Sequence, residues 1–250
     1  MAAVGVDGCP DGWIAVWRDD SGDLDAAVFA SFAAIAERFA DATIAVDMPI
    51  GLPARIGRGG RGPETLVRPL LGARQSSVFS IPSRAAVLAE DAVCDDIEAW
   101  YDRHRRASAV ARATSDPPRA ISIQAFAIFP KIRELDALLR DRPDLRPLVI
   151  ESHPEVAFWR LNAERPMAMP KKVKGRVHEP GMAERCHLLG IYGVPEPFLR
   201  QRPPRGAAAD DLLDATVMLL IAERRTRGEA RPFPEPPLID AEGLPIAIWT

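Results

Sequence analysis

An apolar run that stops on an acid, and is then held out of regular structure by two prolines, limits the folds open to this chain more than any other feature. In Thr43-Ile44-Ala45-Val46-Asp47-Met48-Pro49-Ile50-Gly51-Leu52-Pro53, the residues before Asp47 offer no polar face to water. They read as a strand covered on both sides, and Pro49 and Pro53 prevent its continuation. Asp47 is thereby delivered to the carboxyl end of the strand, where open α/β sheets bind ligands. On this strand alone, an acid capping a turn reads equally well. The pattern recurs, however. Ala2-Ala3-Val4-Gly5-Val6-Asp7-Gly8 and Pro147-Leu148-Val149-Ile150-Glu151-Ser152 are also short apolar runs that end on acids, and three such strands suggest one shared acidic site.

Covering strands on both faces needs a large core, and the 47% hydrophobic content of these 250 residues supplies one, consistent with a large α/β domain. The net charge of -3 provides no global positive field for nucleic acid, so any such contact requires a local basic stretch or metal ions. Cys9, Cys94 and Cys186 are odd in number and contain no C-x-x-C pair, which argues against a disulfide framework and a structural zinc site. No apolar stretch approaches the roughly 20 residues of a membrane helix, and the first strand begins without a leader pattern. The expectation is a cytoplasmic protein with no membrane partner.

Along the chain, Val4 to Phe32 reads as three strands joined by turns at Asp11-Gly12 and Asp19-Asp20-Ser21-Gly22, followed by a helix that Ser31 caps and then the Asp47 strand. The order is β-β-β-α-β. Periodicity weakens over roughly 54–120, read here as a helical and loop insertion. Within it, Gly57-Arg58-Gly59-Gly60-Arg61-Gly62-Pro63 reads as a solvated loop and Glu64 to Leu71 as a short helix. Gln75 to Arg84 is hydroxyl-rich and suited to line a site. Ala85 to Ala113 reads as a helix with a charged, solvated face, including Arg103, Arg112 and Asp95. Pro130 must begin or kink a helix within Ile121 to Arg140, and it places Lys131 where a phosphate contact or a plain surface role is open. Met169 to His178, with Lys171, Lys172 and Lys174, is the strongest basic cluster and suits a mobile loop that steers a polyanion or is merely solvated. The last long helix, Ala207 to Arg227, starts with Asp210 as the expected cap, whereas Asp211 and Asp214, three residues apart, share a face. A proline-rich tail and a small closing strand at Ala247-Ile248-Trp249 follow, and there is no internal repeat.

The element order, with an acidic strand and then a helix bearing acids in its first turns, resembles the ribonuclease H-like fold. More specifically, Gly5-Val6-Asp7-Gly8-Cys9 with Gly12-Trp13, Asp47 to Pro53, Ser76-Ser77-Val78-Phe79, Pro130 to Glu134, Glu151-Ser152-His153-Pro154-Glu155 and Asp210 to Ala215 resemble the successive motifs of the DUF429 family. Members of that family are described as predicted RNase H-like nucleases. The resemblance implies an α/β chain with a mixed central sheet, three antiparallel strands followed by parallel ones, flanked by helices and carrying the insertion within one domain over 1–250. It makes the strands of Asp7 and Asp47 parallel neighbours. Carboxylates brought a few ångströms apart either share a proton or bind a hard cation, Mg²⁺ or Mn²⁺. Asp7, Asp47, Glu151 and Asp214 are then the expected metal ligands, with Asp211 beside them among the catalytic acids. The arrangement Asp-x-x-Asp-Ala is similar to the corresponding helix of RuvC-type resolvases. The activity implied is metal-dependent hydrolysis of a phosphodiester, with nucleic acid or a smaller phosphodiester as partner and Lys131, Lys171, Lys172 and Lys174 contacting it. His153 is kept outside the core set as a hydrogen-bonded turn histidine. The sequence departs from the family pattern at Arg61-Gly62-Pro63-Glu64, where an Arg-x-Cys/Ala-Asp pattern is expected. Two other readings stand: a nucleotide-dependent phosphotransferase of actin-like type, and a non-catalytic binding protein on the same fold. A homo-oligomer is open.

Overall fold

The computed structural model describes residues 2–91, 93 and 96–250, so Cys94 and Asp95 lie outside the described residues. Strands β1 (Ala3–Cys9), β2 (Gly12–Arg18) and β3 (Leu24–Phe29) form an antiparallel meander. Helix α1 (Phe32–Arg38), capped by Ser31 Oγ accepting from Ala34 N–H at 3.2 Å, returns the chain to β4 (Thr43–Val46), which pairs in parallel with β1. Helices α2 (Pro63–Val67), α3 (Arg84–Leu88), α4 (Ile97–Ala113), α5 (Ile123–Ala127) and α6 (Phe129–Asp141) lead to β5 (Val149–Glu151), parallel to β4. Helix α7 (Pro154–Leu161), a hairpin of β6 (Lys172–Val173) and β7 (Arg176–Val177), α8 (Glu179–Ile191), α9 (Glu196–Arg200) and α10 (Ala209–Thr226) precede a closing hairpin of β8 (Pro232–Ile239) and β9 (Pro245–Trp249). The central order is β3-β2-β1-β4-β5. Three antiparallel strands followed by parallel ones, flanked by helices, make the mixed α/β sheet expected of a ribonuclease H-like fold.

The central strands are buried on both faces, so consecutive residues enter different cores. Val4, Val6, Ile44 and Val46 pack with Phe32, Phe126 and Phe129 on one side. Ala45 and the β2 residues Ile14 and Val16 pack with Leu212, Leu213, Ala215 and Leu219 of α10 on the other. Helix α10 lies directly on β1. A Cβ at Gly5 would fall 2.0 Å from both Ala215 O and Leu219 N, so only glycine permits this approach.

Of the two roles open to Pro130, it begins a new helix, in whose first turn its missing N–H costs nothing. Several other local expectations are corrected. The helix expected over 85–113 is two, α3 and α4. The one expected over 64–71 is α2 followed by a 3₁₀ segment, Arg68–Ser77, broken at Gly72 with φ 51°. The proline-rich tail forms β8, which its prolines tolerate because it is one edge of a two-stranded sheet. That hairpin is tied to the end of β5, where Ser152 Oγ donates to Trp249 O at 2.7 Å.

Candidate metal centre and its cleft

Register places the first two acids. Val6 is abreast of Val46, and the Asp47 N–H continues the ladder to Val6 O at 2.9 Å, so Asp7 and Asp47 stand side by side. Both have the parity of Gly5 and Ala45, the residues that face α10, and Asp214 precedes Ala215 at the point of closest approach. One carboxylate oxygen from each of Asp7, Asp47 and Asp214 lies within 4.8 Å of the others. Asp7 and Asp214 are buried and Asp47 is half-buried. Asp7 Oδ1 accepts from Gly8 N–H at 2.7 Å, and Asp214 Oδ2 accepts from Lys171 Nζ. Asp214 Oδ1 is buried without a hydrogen-bond partner among the described residues.

Three acids this close and this dry resist ionisation together. Burial, then the charges of Asp47 and Asp214, holds the Asp7 carboxyl well above the usual carboxylate range. Burial pushes Asp47 up to about 7, with Lys171 pulling against it and Glu155 adding to it. Asp214 is also pushed by burial to about 7, again opposed by Lys171. Lys171 stays firmly cationic despite its own burial, because Asp214 is bonded to it. An all-oxygen donor set with an orphaned carboxylate oxygen fits a hard divalent cation.

Glu151 does not join this group. Val46 is abreast of Glu151, so Glu151 falls one residue short of the Asp7–Asp47 row, and in a strand one residue changes the face. Its carboxylate is instead gripped by Arg61, Nη2 to Oε1 at 2.6 Å and Nη1 to Oε2 at 3.1 Å, while Ile50 N–H donates to Oε2 at 2.8 Å. Arg61 also bonds Glu64 at 2.8 Å and the Ile50 and Gly51 carbonyls at 2.8 and 3.1 Å. The solvated loop expected at Gly57 to Pro63 is thus corrected: Arg61 is only 6% exposed. The departure at Glu64 is absorbed by this pairing, and the cluster fixes the Pro49-to-Pro53 turn just after Asp47.

The helix acids divide differently from the expected assignment. Asp211, not Asp210, serves the helix start, its Oδ2 accepting from Ala208 N–H at 2.8 Å. Asp210 is paired with Lys172 Nζ at 2.5 Å. Asp211 lies outside the triad, although its charge helps raise Asp7. Of the four lysines, Lys171 and Lys172 are therefore engaged with acids of α10, because the β6–β7 hairpin folds over the helix start. Lys174 is exposed at the hairpin turn with φ 52°. Lys131 donates to Gly12 O, lies 4.7 Å over the Trp13 ring and lines the cleft beside Gly8.

That cleft, about 200 Å³, holds Asp7, Asp47, Lys131, Phe79 and His153 in its walls. His153 Nε2 donates to Ser77 O at 3.2 Å and Nδ1 accepts from Glu155 N–H at 3.2 Å, which fixes a neutral ring as the cap of α7. Burial lowers its pKa accordingly. Sequence reasoning missed Glu155. Arg185 Nη2 holds its Oε1 at 2.6 Å, its Oε2 is buried without a partner among the described residues, and its charge raises both Asp47 and Asp214. The signal was Pro154-Glu155 opening a helix directly after an acidic strand.

Among the described residues, no helix is long and apolar enough to cross a membrane. In comparison with known proteins, a family model described as "Protein of unknown function (DUF429)" matches residues 5–239. Neither the curated proteins nor the solved structures compared with the chain gave a match.

Proposed function

The chain belongs to the DUF429 family, a membership that carries no activity with it, and from the chemistry of the cleft we propose a metal-dependent phosphodiesterase, a nuclease in the broad sense. The observation that carries this reading is the triad of Asp7, Asp47 and Asp214, with ligand oxygens within 4.8 Å of one another, of which Asp7 and Asp47 stand at the carboxyl ends of two parallel strands in the wall of a cleft and Asp214 reaches them from α10. Three carboxylates there cost folding stability unless they neutralise something. A divalent cation, Mg²⁺ or Mn²⁺, would supply the Lewis acidity that polarises a phosphodiester and makes water a nucleophile near neutral pH. Asp7 and Asp47 would hold it from the sheet and Asp214 from the helix. Glu155, anchored by Arg185, would keep the local potential negative. Lys131, in the same cleft, would face the substrate phosphate, and Glu151 would act through Arg61 by fixing the turn that carries Asp47.

The Lys171–Asp214 pair favours a second reading, in which an internal ammonium settles the charge of the acids and the fold serves binding alone. Incubating the protein with single-stranded and duplex oligonucleotides in Mg²⁺, Mn²⁺ or EDTA separates the two. Metal-dependent cleavage by wild type and none by Asp47→Asn supports the phosphodiesterase. A protein that neither cleaves nor binds Mn²⁺ is the second kind.

A further inference from the structure

Beside the acidic cleft, and sharing Val78 and Phe79 with it as a common wall, lies a more open groove of about 510 Å³ lined by Arg68, Gln75, Ser80 and Arg119. Two guanidinium groups converge there on one hydroxyl. Arg68 Nη2 and Arg119 Nη1 donate to Ser80 Oγ at 2.9 and 2.8 Å, and Ser80 Oγ donates onward to Gly59 O at 2.9 Å. Arg68 is fixed from behind, with Nε–H donating to Val78 O at 2.9 Å and Nη1 to Gly59 O. Among the described residues no carboxylate pairs with either guanidinium, whereas Arg106 and Arg185 each have one and Arg61 and Arg84 each have two.

A neutral hydroxyl between two cations leaves their repulsion uncompensated. Burial and the Arg119 charge both act against the Arg68 cation, with Glu64 steadying it. Each guanidinium carries five N–H donors in a planar fork suited to phosphate oxygens. Arg119 is exposed and spends one of its donors on Ser80, leaving the others to the groove. Exposed Gln75 and Ser76 add neutral donors on the same wall.

We propose that Arg68, Arg119 and Ser80 form a phosphate-binding subsite. On the phosphodiesterase reading, which the adjacency of the two sites relies on, it holds a phosphate neighbouring the one presented to the triad. The Val78–Phe79 ridge would then separate two consecutive positions of one substrate, with the Phe79 side chain between them.

The test uses the full chain in EDTA, so that the metal centre contributes nothing. Anisotropy of a labelled oligothymidylate of about 12 nucleotides, a length within the usual span of single-strand sites, is followed across a salt series. The variant is Arg119→Gln, because that side chain supports no other segment, with Arg202→Gln as a control on an exposed arginine that lines neither cleft. Arg119→Gln is expected to weaken binding about threefold to tenfold and to lower the slope of log K on log salt by about 0.7, as for loss of one phosphate contact on a single strand. Competition by inorganic phosphate that Arg119→Gln abolishes also upholds the subsite and assigns it to a free or terminal phosphate. Competition by oligonucleotide alone assigns it to a backbone phosphate. If Arg119→Gln matches Arg202→Gln, or wild type binds neither probe, the subsite is overturned. A separate Mn²⁺ titration of the same protein then shows whether the metal centre stands without it.

Discussion

At the scale of single residues, the behaviour of each acid of the triad turns on what it is attached to. Among the described residues Asp47 accepts no hydrogen bond from a cation, so Asp47→Asn is expected to fold, to melt higher than wild type in EDTA, and to lose the gain that Mn²⁺ gives wild type. Because the native carboxyl is pushed up to about 7 from 3.8, the folded protein keeps a proton that the unfolded chain has released. Its contribution to stability is fully present below about pH 4 and lost as pH rises through about 7. The melting advantage of Asp47→Asn over wild type in EDTA should accordingly be near zero below about pH 4, grow between about pH 4 and 7, and level off above that. A constant difference across that range would contradict the assignment. Asp214→Asn should behave in the opposite sense. It leaves the half-buried Lys171 ammonium without its carboxylate, and losing one partner of such a pair costs about 3 kcal/mol. Chemical denaturation in EDTA measures both signs. Asp7 and Asp47 were legible in the sequence because each ends an apolar run. Glu151 ends one too, but nothing in one strand states its register with its neighbours, and a single residue of stagger turned it away from the shared face.

Among the elements, the fit of α10 on β1 places Asp214, and Gly5 permits that fit. Gly5→Ala sets a methyl group against backbone that has no side chain to rotate away. It is expected to cost about 1–3 kcal/mol, as overpacked cores do, and to weaken Mn²⁺ binding by moving the helix. Calorimetric titration reads the second effect, and unchanged affinity would show that α10 does not position the site. The β6–β7 hairpin is the other decisive element. Lys171, at its base, supplies an ammonium where a cation would otherwise be the partner of Asp214. Lys171→Met should lower the melting temperature in EDTA and tighten Mn²⁺ binding about tenfold, the equivalent of roughly 1.4 kcal/mol. Weaker binding would mean that the lysine assists the metal rather than competing with it. The hairpin had a sequence signal, Lys174-Gly175 between Lys172-Val173 and Arg176-Val177, and both turn residues have positive φ as such a turn requires. The charge of the cluster masked it. Apolar runs, turn residues and a cap made β1 to β4 and α1 readable, whereas the Arg61–Glu64–Glu151 cluster joins residues about 90 positions apart and has no local pattern.

For the whole molecule, two charge systems lie side by side on a chain whose net charge is only -3. The cleft of Asp7 and Asp47 and the arginine groove share a wall, so composition averages away the contrast that local structure creates. The sheet, the helix and the hairpin bring acids from positions 7, 47 and 214 within reach of one ion. The most direct test is a crystal soaked in Mn²⁺ and measured for anomalous scattering. A peak is expected about 2.1 Å from oxygens of Asp7, Asp47 and Asp214, the distance of small hard cations, with Lys171 Nζ withdrawn from Asp214. No peak at the triad, with Lys171 still bonded to Asp214, would show that the three acids do not form a metal site.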